Sequence, residues 1–154
     1  MAWVYLQYAI TFILAGIAFW RGAGPEKAVG ATLVGMIVAA YGYTVIEIQD
    51  GMLKWMHVEY GLLLVDFAGF VAFAIIAMRA NRIYTIWLLG AQLISVLMHL
   101  GRGISSIIEP KAYYAIYALP FWMQILIFGI GLIAHLRRLR RFGNYRSWRT
   151  SSDQ

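Results

Sequence analysis

Apolar residues in this chain gather into five long runs, at about Ala2–Trp20, Ala28–Ile46, Tyr60–Met78, Ile83–Gly103 and Ala112–Leu136, separated by short polar stretches. Each run is roughly 19 to 25 residues, the length a helix needs to cross a ~30 Å hydrocarbon core. The runs are about twice as long as a barrel strand and do not alternate apolar with polar, so they predict helices. The expected fold is all-α: a polytopic transmembrane bundle of about five spans over residues 1–136, followed by a basic tail over 137–154. Between the first two runs, RGAGPEK carries a Gly-Pro pair that reads as a helix stop and restart. The longest connection, residues 47–59, places Met52, Trp55 and Met56 at helical spacing with Tyr60, the pattern of a short interfacial helix. The connection ANR, residues 80–82, is tight enough to make the third and fourth helices antiparallel neighbours, and Glu109-Pro110 marks a turn before the fifth.

Charge orients the bundle. One side gathers Arg21, Lys27, Arg79, Arg82 and six arginines of the tail, whereas the other holds only Lys54, Arg102 and Lys111. Ten against three places the amino terminus outside and the basic tail inside. Aromatic residues give the same boundaries, with Trp3, Tyr5, Trp55, Tyr60, Tyr113 and Tyr114 at the outer level and Trp20, Tyr84 and Trp87 at the inner. The formal net charge of +6 therefore points to anionic headgroups held by Arg137, Arg138, Arg140 and Arg141, rather than to nucleic acid. At 62% hydrophobic and 13% charged, the chain lies well outside the range of soluble domains. The start, MAWVYLQYAI, lacks the basic n-region of a signal peptide, so the first run reads as a retained helix.

Within the oily fourth run one edge is polar. Gln92, Ser95, His99, Arg102 and Ser106 follow one another at intervals of three and four, a single helix face. Polar residues in membrane helices commonly join helices at about 1 kcal/mol each, and Arg102 near the outer interface is free to snorkel. Asp66, in GLLLVDFAGF of the third run, is harder to place in lipid. Measured from Tyr60 it lies roughly 9 Å below the outer boundary, and His99, measured from Arg102, roughly 4–5 Å. Side chains bridge that difference across a hairpin. An Asp66–His99 or Asp66–Arg102 pair would lower an insertion cost of ~2.5–3.5 kcal/mol for a mid-bilayer carboxylate. Tyr41, Tyr43, Thr44 and Glu47 on the second run, with His57 and Glu59 in the outer connection, add polar groups on that side. Pro120 denies the carbonyl of Ile116 its helical partner. These features predict a polar, outward-opening cavity among helices two to five, against an almost purely apolar inner half.

Other chemistries find little support in the sequence. With no cysteine there are no disulfides, thiolate metal sites or thiol nucleophiles. His135 lies at the opposite end from His57 and His99, so no transmembrane haem pair is expected, and no metal or cofactor is expected. "HVE" at 57–59 lacks the partners of a zincin or a zinc deaminase. One embedded carboxylate, Asp66, falls short of an aspartyl protease dyad, and no phosphate-cradling glycine loop is present. Gly30, Gly35, Ala39 and Gly42, with Gly129 and Gly131, approximate small-residue spacing for close helix packing within or between subunits.

The stretch VDFAGFVAFAIIAMRANRIYTIWLLGAQLISVLMHLGR, with Asp66, Arg79-Ala80-Asn81-Arg82, Trp87, Gln92 and His99, resembles small uncharacterised inner-membrane proteins of bacteria. The resemblance covers the middle and last third of the chain. It implies a multi-pass protein of the bacterial inner membrane and carries no activity. The leading expectation is a non-enzymatic accessory or interaction subunit, with lipid, another membrane protein or a second copy as partner. An alternative is a small proton- or ion-coupled transport component built on Asp66 and His99. A membrane-permeabilising phage-related protein is a weaker one.

Overall fold

The computed structural model describes residues 2–50, 60–104, 110–143 and 148. It contains five α-helices in chain order: α1 (Ala2–Arg21), α2 (Gly24–Asp50), α3 (Tyr60–Arg79), α4 (Tyr84–Ile104) and α5 (Pro110–Phe142). Four of them carry stretches long and apolar enough to cross a membrane, Trp3–Arg21, Gly24–Ile46, Tyr60–Arg79 and Ala118–Phe142. In α4 the apolar stretch is Tyr84–His99. Gln92, Ser95 and His99 all fall within that shorter stretch.

Each helix packs against its neighbours in sequence, and α5 closes the ring on α1. Contacts along the chain fix the directions. Ala15 meets Gly30 and Tyr43 meets Gly61, Asp66 meets Gln92, and Tyr84 meets Gly131, so consecutive helices are antiparallel. Gln7 reaches Ala118 and His135 reaches Arg21, so α1 and α5 run parallel, as an odd number of alternating helices requires. The arginine-rich end of the bundle, called here the basic end, holds Arg21, the start of α2, the α3–α4 turn and the end of α5.

Polarity is distributed the reverse of a soluble core. Leu64, Met78, Ile83, Trp87, Leu126 and Ile130 point outward and are exposed over most of their surface, while Gln7, Glu26, Asp66, Gln92, His99, Gln124 and His135 are buried. An apolar surface of this extent suits lipid, and a water-soluble monomer rarely tolerates it. Between the polar groups sits an apolar core that includes Val29, Leu33, Phe73, Leu88, Phe128 and Leu132.

Several boundaries differ from those read in the sequence. Gly-Pro does not stand between two elements: Gly24 and Pro25 form the first turn of α2. Proline there supplies a helical φ and lacks only an N–H that the first turn leaves unpaired anyway. Glu26, expected in a loop, therefore joins the helix. At the other end of the chain α5 starts at Pro110 and continues to Phe142, so Arg137, Arg138, Arg140 and Arg141 are exposed residues of its last turns rather than of a separate tail. Pro120 lies within α5 without ending it. Gly143, at φ +67°, stops the helix, its N–H bonding the Leu139 carbonyl at 3.0 Å, which is the left-handed cap glycine adopts without a Cβ penalty. Trp148 then lies against Gly24 and pairs with Ala80 in an isolated antiparallel bridge. The interfacial segment expected around Met52 and Trp55 lies outside the described residues.

Candidate functional site

The α3–α4 turn sets the site. Ala80 N–H bonds the Ile76 carbonyl at 2.7 Å, closing α3, and Thr85 Oγ1 donates to the Arg82 carbonyl at 2.6 Å as α4 begins. With so short a link the two helices run side by side. Asp66 and Gly69 on α3 face Gln92, Ser95 and His99 on α4 across the hairpin.

Asp66 is 6% exposed and both its oxygens are engaged. Oδ2 lies 3.0 Å from His99 Nε2, and Oδ1 accepts from Gln92 Nε2 at 3.0 Å. Gln92 Nε2 also donates to the Asp66 backbone carbonyl at 2.8 Å. The Gln92 amide oxygen in turn accepts from Gln124 Nε2 of α5 at 2.6 Å. The result is a continuous chain, Gln124 to Gln92 to Asp66 to His99, linking three helices. His99, Gln92 and Gln124 are 1%, 0% and 0% exposed, and bonds so enclosed gain strength in the low-dielectric interior. When Asp66 is ionised it only accepts, so the shared hydrogen sits on His99 Nε2.

Asp66 and Ser95 also line a cavity of about 260 Å³. Its wall takes Val4, Gln7 and Tyr8 from α1, Met36, Ile37, Ala40 and Thr44 from α2, and Ala118 and Phe121 from α5. The space was expected among helices two to five; the ring closure of α5 on α1 brings α1 in as a fifth wall. Gln7 Nε2 donates to the Ala118 carbonyl at 3.4 Å, near Pro120 but not at the carbonyl that proline leaves unpaired. Thr44 reaches the cavity, whereas Tyr41 is 62% exposed and points away. Tyr43 is half-buried against Gly61.

The remaining sequence-derived residues fall elsewhere. Glu47 lies in α2, Arg102 in α4, and neither side chain is among those described. His57, Glu59 and Ser106 lie outside the described residues. No three carboxylate or imidazole side chains converge as metal ligands among the described residues.

At the basic end a second carboxylate is buried within the bundle. Glu26 is 0% exposed and its Oε1 accepts from Arg82 Nε at 3.2 Å. His135 Nδ1 lies 3.8 Å from the same oxygen, and His135 Nε2 is 3.3 Å from the Arg21 carbonyl. Arg82 also donates through Nη1 to the Asn81 carbonyl at 2.9 Å. These residues sit in turns and helix ends, where charge ordinarily meets solvent, so their burial was hidden in sequence. The signal that survives is Pro25-Glu26 itself: proline followed by an acid is a first-turn pair, and an anion there is favoured by the helix dipole.

Comparisons with family models, with curated proteins and with solved structures return no match for this chain.

Proposed function

We propose that this chain is a five-span protein of the bacterial inner membrane, amino terminus outside, in which Asp66 and His99 form a proton- or cation-exchanging site of a small transport component. The observation that carries this reading is the 3.0 Å contact between Asp66 Oδ2 and His99 Nε2 at the wall of a cavity. A carboxylate used only as interhelical glue has no need of an adjoining space, and intramembrane ionisable residues facing a cavity commonly mark ion pathways. The chemistry is proton transfer alone. A proton arriving from the cavity adds to the carboxylate and releases His99, and its departure restores the pair. Gln92 and Gln124 keep the carboxylate aimed while its partner changes.

The odd, alternating ring supports five crossings: with α1 and α5 parallel, the termini lie on opposite sides once α4 crosses. Its 21 residues span about 31 Å at 1.5 Å per residue, and its polar edge faces α3 and α5 rather than lipid. The exposed arginines at the end of α5 suit anionic headgroups on the cytoplasmic side.

The test is flux. In proteoliposomes loaded with a pH-sensitive dye, an imposed pH gradient should dissipate through the wild-type protein and not through Asp66→Asn, with both eluting as the same folded species. No flux through wild type, or equal flux through a folded Asp66→Asn, removes the transport reading. The pair then serves packing, and the accessory-subunit reading takes its place.

A further inference from the structure

Among the described residues the buried carboxylates, imidazoles and cations are Glu26, Asp66, Arg82, His99 and His135. They divide cleanly. Asp66 and His99 bond each other at the cavity end, while Glu26, Arg82 and His135 meet at the basic end. Between the two groups Leu33 of α2, Phe73 of α3, Leu88 of α4 and Phe128 of α5 are all fully enclosed and belong to one apolar cluster. From Gln124 to His135, α5 advances about 16 Å at 1.5 Å per residue, with Phe128 and Leu132 in between. This apolar cluster separates two polar ends.

We infer that Glu26 and His135 form a second proton-exchanging site, serving the opposite side of the membrane from Asp66. This rests on the reading of Asp66 given above and on the bundle spanning the bilayer. Two observations carry it. Glu26 is fully buried, yet among the described residues its Oε2 has no hydrogen-bond partner while Oε1 takes the Arg82 contact. An unpartnered oxygen on a buried carboxylate is costly, and it leaves Oε2 as the lone-pair site open to a proton. The second observation is the orientation of His135. A carbonyl only accepts, so the Arg21 contact places a hydrogen on His135 Nε2, and His135 Nδ1 faces Glu26 Oε1 at 3.8 Å.

The groups facing Glu26 come from each surrounding element: the Arg21 carbonyl through His135 from α1, Arg82 from the α3–α4 turn, and His135 from α5. The Arg21 guanidinium turns outward, 4.5 Å over the Trp20 ring, and Lys27 is exposed. Exchange consists of a proton adding to a lone pair of Glu26 Oε2 or His135 Nδ1 and leaving from the same atom.

Infrared spectroscopy of the full chain in lipid films tests this. Replacing Glu47, Glu59 and Glu109 with glutamine leaves Glu26 as the sole glutamate, so carboxyl-labelled glutamic acid then reports on one residue. Acidification should produce a label-shifted carboxylic-acid band from Glu26, separate from an Asp66 band that disappears in Asp66→Asn. Glu26→Gln should abolish the first band and keep the second. Should that variant fail to fold, the label in the triple-glutamine background still decides the matter. If no Glu26 band appears across about pH 4 to 9, where carboxyl and imidazole groups ordinarily titrate, Glu26 is a fixed ion-pair partner and the inference is overturned. A Glu26 band without one from Asp66 overturns instead the reading of Asp66.

Discussion

At the scale of single residues, Asp66 is held by donors of different kinds, an imidazole on one oxygen and an amide on the other. Removing either leaves one oxygen of a buried carboxylate without its partner. His99→Ala should therefore lower the stability of the detergent-solubilised protein by about 1–3 kcal/mol, the cost of orphaning a buried polar group, read by thermal unfolding. Gln124→Leu removes a bond one step away and should cost closer to ~0.6 kcal/mol, the average for interhelical bonds whose unfolded state also finds partners in the membrane. Equal effects from both would contradict the order of the chain from Gln124 to His99. How much of the site was legible in sequence follows from the same residues. Asp66, Gln92, Ser95 and His99 stand out because polar side chains at helical spacing in an apolar run have few places to go. Gln124 does not, because a lone glutamine in α5 has no companion on its own face and acquires one only when α5 folds against α4. Glu26 and Arg82 were hidden by lying at a helix start and in a turn, since whether such a position meets water is settled by packing of distant segments.

At the scale of helices, the small residues of α2 and α5 divide by what they face. A Cβ at Gly131 would strike the ring of Tyr84, and one at Gly30 would press on the backbone of Ala15 at 3.3 Å. Nothing lies within 4 Å of a Cβ at Gly35. Gly131→Val should therefore push α4 from α5 and cost about 1–3 kcal/mol, as overpacking does. Gly35→Ala should be neutral or raise stability by up to about 1 kcal/mol from helix propensity. Thermal unfolding of the two variants side by side checks both, and a neutral Gly131→Val would mean that α4 and α5 are not in register as described. Spacing alone did not distinguish these positions, since the periodicity of small residues on a helix fixes their common face but not which neighbour, if any, covers it. The helices themselves were legible because each apolar run is long enough to exclude other elements. Their ends were less so: Pro25 opens a helix instead of breaking one, and the arginines after Leu136 continue α5 because they are good helix formers on an exposed surface.

At the scale of the whole molecule, topology and chemistry depend on each other. Two ionisable clusters divided by an apolar plug exchange with opposite sides only if α4 crosses with the rest. The absence of cysteine makes this directly testable, because a single introduced cysteine has no background. Trp3→Cys should react with an impermeant maleimide on intact cells, and Gly143→Cys only after permeabilisation. Labelling of both from one side would mean an even number of crossings and would separate Glu26 from any role opposite Asp66. The return of Trp148 onto Gly24 and Ala80 also belongs to this scale, since it ties the chain's basic end to the turn that pairs α3 with α4.

Everything at the three scales depends on Asp66 meeting His99 across that turn. Solid-state NMR on protein in lipid, with aspartate carboxyl carbons and histidine ring nitrogens labelled, reads this contact directly. We expect a strong dipolar correlation between the Asp66 carboxyl carbon and His99 Nε2 at hydrogen-bond range, lost in His99→Ala. A His99 ring nitrogen without any such correlation, in protein that remains folded, would contradict it.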